Sequence, residues 1–486
     1  MNCFTDLSSF RAKNENASRL LDIDEHPYRS SFQRDRDRIL YSKEFRRLSG
    51  KTQIFVTGSD DHMRTRLTHT LEVSQIAETI SERLQLNSML TRAIALGHDL
   101  GHTPFGHVGE RTLNHIMNGC FSYYGYDKKL SDEQKGFKHN LQGVRVACNL
   151  EKSLDDSSEI SLGLNLTRYT LWGIMNHSAL SYKECAFCKN HKECRYKNCE
   201  KPCDGKLSVG YYNSLPYKPN NETDWTLEGI IVACADEIAQ RHHDIEDGIF
   251  AGIIKIENLC DQLKRIFSFN LHSTKEIQRI KDDFAKSHSI SDAIQKLSKL
   301  IVDLYVTEYT ESLAKKVNSI SQSMNLNTKD DSWRALLFNH IANENKSIDK
   351  YFGFSQDFQK ADDELSHYLS AHILDSYIAQ CMDGKASFII RQLVKAYLTN
   401  PQQLPDSTII TIIQDWNNKH SVKSNEHSSF MTDASASRKR LKELIKIDDP
   451  LISSILMRKI CDHIAGMTDQ YAISSFEKLY GSKGYL

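Results

Sequence analysis

Residues 98–110 read HDLGHTPFGHVGE and carry three histidines and two carboxylates within thirteen positions. Glycines and a proline in the same stretch bend the chain so that these groups can converge. The tandem pair His98-Asp99 offers one nitrogen and one oxygen ligand, a mixture that suits Mn, Fe, Zn, Co or Ni. Two ligands do not complete a site, so the stretch predicts a metal centre whose other ligands come from elsewhere in the chain.

The composition indicates a large helical protein. The chain has 486 residues, enough for two or three domains or for one large helical body with appendages. Few residues break helices, 8 prolines and 22 glycines, which favours long helices, short loops and therefore an all-α fold. The 62 basic and 63 acidic residues nearly balance, so no global field directs the chain to nucleic acid or to a membrane.

The N-terminal segment and the cysteines bear on the cellular compartment. Residues 1–18 contain no apolar core of a signal peptide, and no window approaches eighteen uninterrupted apolar residues. We therefore expect a cytoplasmic protein without a membrane segment. In such a chain the 12 cysteines are expected to be reduced thiols or metal ligands rather than disulfides.

Helical spacing surrounds the opening stretch. Residues 61–86 predict an amphipathic helix on which Arg66 and His69, three apart, share a face. Asn87 is suited to cap a second helix, which delivers His98 and Asp99 at its end. Pro104 is suited to be the first residue of a third helix. On this third helix His107 and Glu110 are again three apart and face the same way.

Two further segments carry informative charges. Arginines alternate with aspartates over residues 34–38, a pattern typical of a solvated or self-paired helix face. The alternative is that some of these arginines point inward toward a polyanionic ligand. A long amphipathic helix starts near Trp225 and places Asp236 within an apolar run, where a carboxylate needs a partner or a metal. Asp244 lies eight residues further on, about two turns, and projects from much the same face.

These residues can form one catalytic centre. Two nitrogens and two oxygens from three helices would bind one divalent metal and leave coordination positions open for water and substrate oxygens. His107 and Glu110 could form a dyad in which the carboxylate orients the imidazole for proton transfer. Arg66 offers a planar fork that matches phosphate oxygens. The candidate metal ligands are His69, His98, Asp99 and Asp236.

The predicted organisation has three parts. They are an N-terminal extension over residues 1–27, a helical core over residues 28–255 and a helical C-terminal region over residues 256–486. A cysteine-rich insert interrupts the core at residues 181–219, and its CxxC opening suits a structural tetrahedral zinc site. An iron-sulfur cluster and unligated surface thiols are the alternatives. The candidate ligands are Cys185, Cys188, Cys194, Cys199 and Cys203, with His191 among them.

Several motifs in order resemble a known family. The set His69, His98-Asp99, Asp236 resembles the signature of the HD-domain superfamily of metal-dependent phosphohydrolases. More narrowly, the chain is similar to the deoxyguanosinetriphosphate triphosphohydrolases (dGTPases) from about residue 32 to residue 248. The motifs that carry this resemblance are RDRDRILYSKEFRRLSGKTQIF, RTRLTHTLEVSQIA, LGHDLGHTPFGHVGE, FKHNLQGVRV and TLEGIIVACADEIAQRHHDIEDG.

The resemblance implies an all-α HD-domain fold and hydrolysis of a dNTP, foremost dGTP, to deoxynucleoside and triphosphate with Mn, Mg, Fe or Co. It implies that Gln53 and Asp244 hold the deoxyribose 3′-hydroxyl and that His102 and His107 lie beside the α-phosphate. It also implies that His107 and Glu110 form the catalytic dyad. Members form homo-oligomers, often hexamers or tetramers, and some respond to nucleotides or single-stranded DNA.

One position departs from the family pattern. Many relatives carry a tyrosine against the sugar four residues after the last metal ligand, and this chain has Gln240 there. The departure puts sugar and base discrimination in question more than the reaction itself. Two alternatives share the metal ligands: a phosphohydrolase of cyclic or alarmone nucleotides, and a catalytically silent nucleotide- or DNA-sensing oligomer.

Overall fold

The computed structural model describes residues 6–53, 64–121, 123–126, 130–151, 163–180, 207–218, 222–344, 347–419, 434–447 and 449–481. Helices are the regular secondary structure of these ranges, which confirms the all-α prediction, and extended pairing within them is limited to two isolated bridges, Arg19 with Thr167 and Thr52 with Thr65. None of the helices in these ranges is long and apolar enough to cross a membrane. The cysteine-rich cluster at residues 185–203 lies outside them.

The helices fall into an N-terminal and a C-terminal series. The first series is α1 Ser31–Tyr41, α2 Lys43–Arg47, α3 Arg66–Arg83, α4 Ser88–Gly97, α5 Gly106–Met117, α6 His139–Arg145, α7 Arg168–Asn176 and α8 Leu227–Phe250. The second series is α9 Ile256–Ile266, α10 Leu271–Ser287, α11 Ile290–Met324, α12 Ser332–Asn343, α13 Ile348–Tyr351, α14 Gln356–Ile373, α15 Tyr377–Thr399, α16 Asp406–Lys419, α17 Ala434–Lys446, α18 Pro450–Ala465 and α19 Asp469–Tyr480. Helix α6 continues as a π-helical turn, Val146–Leu150.

Local capping fixes where the helices of the site begin. The Asn87 side chain accepts from the amide of Leu90 and caps α4, as predicted. The prediction for Pro104 is wrong, because α5 begins at Gly106. Phe105 stands between them with φ at +62°, a left-handed conformation that a non-glycine residue rarely adopts, so Pro104 cannot continue into the helix. The turn before α5 is therefore held by contacts from outside it.

Two hydrophobic cores divide the molecule, and the division does not follow chain order. The first core joins residues 7–48 and helices α3, α4, α7 and α8 to helices α9–α14. The second core packs α5 against helices α15–α19. The segment 1–27 thus contributes buried residues to the first core, among them Leu7, Phe10 and Ala12. Helix α5, which carries His107 and Glu110, is the part of the N-terminal series that belongs with the C-terminal helices.

Buried polar contacts join the C-terminal helices to the loops around the site. Asp469, the first residue of α19, accepts from the backbone amides of Thr52 at 2.9 Å and Phe105 at 2.8 Å. The fully buried Lys51 ammonium donates to the carbonyls of His102 at 2.5 Å and Ala465 at 3.1 Å. These bonds satisfy buried donors and fix two loops that lead into the site.

Candidate active site

The four candidate metal ligands converge at the meeting point of α3, α4 and α8, and we call them the metal cluster. Asp236 Oδ1 lies 2.9 Å from His69 Nε2 and 3.8 Å from His98 Nε2. Asp99 Oδ1 lies 3.5 Å from His98 Nε2, and Asp99 Oδ2 lies 4.0 Å from His69 Nε2. His69, His98 and Asp99 are buried, and the ligand atoms of these three residues lie within 4.8 Å of one another.

The proton positions on His98 suit a metal ligand. Its Nδ1 lies 2.7 Å from the carbonyl oxygen of Ala95, which can only accept, so the ring proton is on Nδ1. The Nε2 lone pair then points at the two carboxylates and has no hydrogen-bond partner in the described part of the chain. A buried lone pair left in this way needs a cation, and an imidazole nitrogen with two carboxylates is a donor set that divalent metals accept.

A hydrogen-bonded chain behind His69 fixes that ring as well. Burial lowers the pKa of His243 to about 3, so the ring carries one proton, and Nε2 uses it in a short bond to Glu72 Oε2. His243 Nδ1 must then accept from His69 Nδ1, 3.3 Å away, which leaves the His69 Nε2 lone pair facing Asp236. Such outer hydrogen bonds orient ligating histidines and set their tautomer. The residues of the metal cluster therefore fit a divalent metal.

Arg66 lies at the wall of the metal cluster. Its Nη1 donates to Asp99 Oδ2 at 2.7 Å, while Nε and Nη2 are buried without a hydrogen-bond partner among the described residues. A Cβ at Gly106, where φ is +58°, would stand 3.2 Å from Nη2, so glycine leaves that face of the guanidinium open. Although burial opposes ionisation, the neighbouring His98 ring and the Arg66 guanidinium hold the pKa of Asp99 well below its ordinary value.

A second group, which we call the proton-transfer cluster, consists of His102, His107, Glu110 and His139. Glu110 Oε2 accepts from His139 Nδ1 at 2.6 Å and lies 3.6 Å from His107 Nδ1. Of these two contacts of Glu110, the one with His139 is therefore the shorter, and the one with His107 is the contact predicted from the sequence. Glu110 and His139 are buried, whereas the His107 side chain is 56% exposed. Burial opposes the ionisation of Glu110, but His139 and His107 hold the pKa of this carboxyl well below its ordinary value.

His102 connects the two clusters. Its ring stacks on His139 with centroids 4.0 Å apart, and its Nε2 lies 3.3 Å from Asp99 Oδ1. The backbones of the two segments lie close together beside these rings, since a Cβ at Gly101 would stand 2.1 Å from the carbonyl oxygen of His139. Burial, followed by the charge of Arg66, lowers the pKa of His102, so the ring is neutral at pH 7.

His139 has a place for one additional proton. Its Nδ1–H donates to Glu110, and its Nε2 lies 3.2 Å from Nε2 of His177. His177 Nδ1 donates to the Ile174 carbonyl at 2.7 Å, so its Nε2 carries a lone pair. A proton taken up on His139 Nε2 would be held between two nitrogens, beside the Glu110 charge.

The residues predicted to bind or border the sugar, Gln53, Gln240 and Asp244, belong to neither cluster. The Gln53 side-chain oxygen is buried without a partner among the described residues, and its backbone oxygen borders Gly106. Gln240 and Asp244 follow Asp236 on α8 by one and two turns, and both are partly buried. Burial raises the pKa of Asp244 to about 7.

Sequence reasoning missed several residues that support the site. Glu72 shares the face of His69, three residues away, and His243 follows Asp236 by seven residues, about two turns, so both could have been found by helical spacing. His139 belongs to the quoted motif FKHNLQGVRV, but no spacing links it to Glu110. The C-terminal Asp469 gives no local signal at all.

This geometry and the comparisons with known families agree on the class of protein. Residues 66–241, which hold all four members of the metal cluster, match the HD domain. Residues 352–439 and 452–478 match the phosphohydrolase-associated domain, which covers most of the second core. The chain is thus an HD-domain phosphohydrolase, and its site can hold a divalent metal.

Curated relatives narrow the class to one family. A deoxyguanosinetriphosphate triphosphohydrolase-like protein of Bordetella pertussis is 32% identical over 453 residues, covering 93% of this chain and 90% of the relative. A protein of the same name from Leptospira interrogans is 30% identical over 96% of this chain and 93% of the relative. One from Clostridium perfringens is 36% identical over 65% and 79%, respectively. The chain belongs to the deoxyguanosinetriphosphate triphosphohydrolase-like family.

Proposed function

We propose that the chain is a metal-dependent dNTP triphosphohydrolase that prefers dGTP and releases deoxyguanosine and inorganic triphosphate. The observation that carries this proposal is the Arg66 guanidinium, buried beside the metal cluster with Nε and Nη2 lacking partners among the described residues. Unpaired buried donors of an arginine are costly unless an anion completes them, and a phosphate oxygen matches their geometry. The names of the relatives support the nucleotide as the source of that phosphate.

In the proposed reaction a water oxygen bonds to the α-phosphorus, the bond from phosphorus to the 5′-oxygen breaks, and a proton reaches the 5′-oxygen. His69, His98, Asp99 and Asp236 would hold a divalent metal, which would supply Lewis acidity to lower the pKa of water and to neutralise phosphate charge. Arg66 binds phosphate oxygens and is kept in place by its bond to Asp99.

Proton transfer is assigned to the second cluster. His139 Nε2 takes up the proton that the attacking water loses, because Glu110 stabilises the resulting imidazolium through Nδ1. His107 donates to the leaving 5′-oxygen, because it is the member of the cluster with a largely exposed ring. His102 stays neutral and packs between Asp99 and His139.

Sugar recognition is assigned to Gln53 and Asp244, whose polar groups can bond the 3′-hydroxyl. Gln240 replaces the aromatic wall that the family motif leads one to expect, so we propose that discrimination among the four bases is weaker than the preference for a deoxynucleoside triphosphate over a monophosphate.

The test is to incubate the purified chain with Mn²⁺ or Mg²⁺ and each of the four dNTPs or GTP, and to resolve nucleoside, monophosphate, triphosphate and pyrophosphate. We expect deoxynucleoside and triphosphate, fastest from dGTP, and no product with Asp99→Ala. Release of monophosphate and pyrophosphate would replace the proposed reaction with another phosphohydrolase. Absence of turnover with every substrate, even with activating nucleotides or single-stranded DNA present, would overturn the catalytic proposal and favour a nucleotide sensor.

A further inference from the structure

A third group of metal-binding side chains lies behind the metal cluster. Glu72 Oε2 is 3.1 Å from His242 Nε2 and in shorter contact with His243 Nε2. One ligand atom from each of these residues lies within 4.8 Å of the others. The histidines are nearly or fully buried, while the Glu72 side chain is 37% exposed and gives access from solvent.

We infer that Glu72, His242 and His243 form a second metal site, which takes a zinc ion and competes with the metal cluster for occupancy. Two imidazoles and one carboxylate are a donor set of zinc sites that keep one position open to water. The hydrogen bonds that orient His69 involve only His243 and Glu72. His242 is not needed for them, and it supplies the third ligand of the group.

The charges around the group suit a divalent cation. Arg64 lies 3.6 Å from Glu72 Oε1 and pairs with Asp247 at 3.2 Å and, more closely, with Glu246. Three carboxylates against one guanidinium leave two negative charges when all are ionised, and a divalent ion neutralises them.

Zinc at the second site would compete with the metal at His69, because it changes which nitrogen of the His243 and His69 rings carries the proton. A zinc ion on His243 Nε2 uses the lone pair there, so the single ring proton moves to Nδ1. That Nδ1–H faces His69 Nδ1 at 3.3 Å, which must then accept and carry its own proton on Nε2. A protonated Nε2 cannot bind a metal, so His69 is lost as a ligand of the metal cluster. The second site would therefore make the enzyme sensitive to zinc.

The competition rests on the proposed metal at His69, whereas the zinc site itself does not. The experiment compares the wild-type chain with His242→Gln, which keeps a hydrogen-bond donor near Glu72 but removes the nitrogen ligand. His242→Ala serves as a second variant, and thermal unfolding checks that each variant folds. The wild type and both variants are loaded with Mn²⁺ and titrated with Zn²⁺. Bound zinc is counted by mass spectrometry after dialysis, and released Mn²⁺ is followed by electron paramagnetic resonance.

We expect the wild type to bind one more zinc than either variant and to release Mn²⁺ at a zinc concentration about 10- to 100-fold lower. Activity in Mn²⁺ alone should be unchanged in the variants. The cysteine-rich cluster is present in every protein, so it cancels in the difference. Equal zinc counts in wild type and variants would overturn the site, and an extra zinc without release of Mn²⁺ would overturn the competition. If the wild type and the variants all failed to bind Mn²⁺ before zinc was added, the proposed function would be contradicted. The zinc count would still show whether the second site exists.

Discussion

The metal cluster and the proton-transfer cluster are neighbours, yet different parts of the chain hold them in place. Helices α3 and α8 and the turn directly after α4 carry the metal cluster, and these three helices share the first hydrophobic core. Helix α5, which carries His107 and Glu110, packs into the second core with the C-terminal helices. The turn before α5 is bonded to Asp469, 364 residues further along the chain. The first core, which includes helices α9–α14, therefore positions the metal cluster, and helices α15–α19 are needed to position His107 and Glu110.

This difference predicts that metal binding and proton transfer can be lost separately. The largest effect is expected for Asp99→Ala, because Asp99 contacts His98, Arg66 and His102 and so belongs to both clusters in space. Activity should fall below about 10⁻³ of wild type, with loss of Mn²⁺ binding measured by calorimetry. Asp132→Ala, at a carboxylate that is 88% exposed, is the matched control and should change neither quantity. Retention of Mn²⁺ affinity in Asp99→Ala would remove Asp99 from the ligand set.

His139→Gln should damage proton transfer and leave the metal in place. We expect kcat to fall about 10²- to 10⁴-fold while the dissociation constant for Mn²⁺ stays within about twofold of wild type. His115→Gln is the control, since His115 is also a buried histidine, bonds to the Arg111 carbonyl of its own helix and belongs to neither cluster. An equal loss of activity in both variants would mean that packing, not proton transfer, explains the effect.

Glu72→Ala should weaken metal binding without abolishing catalysis. Without Glu72 the tautomer of His243, and through it that of His69, is no longer fixed. Affinity for Mn²⁺ should fall about 10- to 100-fold, and saturating Mn²⁺ should restore most of kcat. Glu72→Gln, whose amide oxygen still accepts from His243, should lose less. A fall in kcat that saturating Mn²⁺ does not recover would contradict a role confined to orienting His69.

The same comparison explains what the sequence could reveal. The metal cluster could be predicted because His69 and Asp236 lie in helices with clear spacing, and His98 and Asp99 directly follow the end of α4 within a motif. Predicted helix bounds were close: residues 61–86 were expected for α3, and the helix spans Arg66–Arg83. The proton-transfer cluster could be predicted only in part. The contact between Glu110 and His139 depends on how α5 and α6 pack, and no local sequence pattern encodes that packing.

Long-range burial also escaped prediction in the arginine–aspartate run at residues 34–38. Arg36 and Asp37 pair with each other, as a self-paired face would. Asp35, however, is fully buried and accepts from Arg19 and from the backbone and hydroxyl of Thr167. Arg38 donates to backbone carbonyls near residue 165. Thr167 and the carbonyls near residue 165 lie more than 100 positions away, so alternation alone could not show which charges point inward.

Asp469→Asn tests the contribution of the C-terminal helices with a smaller expected effect. The carboxylate accepts from two backbone amides, and an amide side chain would turn one of these bonds into a contact between two donors. We expect a loss of about 1–3 kcal/mol in the free energy of unfolding and a decrease of about 10-fold in kcat, with Mn²⁺ affinity unchanged. Asp406→Asn, at the first residue of α16 and half exposed, is the control. If stability fell but kcat did not, the position of α5 would be independent of this contact.

The smallest effect is expected from the pH dependence of stability at Asp244. Burial raises the pKa of this carboxyl to about 7 from an ordinary 3.8, so the folded state is penalised once the group ionises. Its contribution to stability is retained below about pH 4 and is lost as the pH rises through about 7. Asp244→Asn cannot ionise, so its Tm should exceed that of wild type by about 1–3 °C at pH 8, and the difference should shrink toward pH 5. If Asp244 bonds the sugar hydroxyl, the same variant should show a higher KM for dGTP. A Tm difference that stayed constant from pH 5 to pH 8 would show that the carboxyl titrates as an ordinary aspartate, and the cost of keeping it buried on α8 would need another explanation.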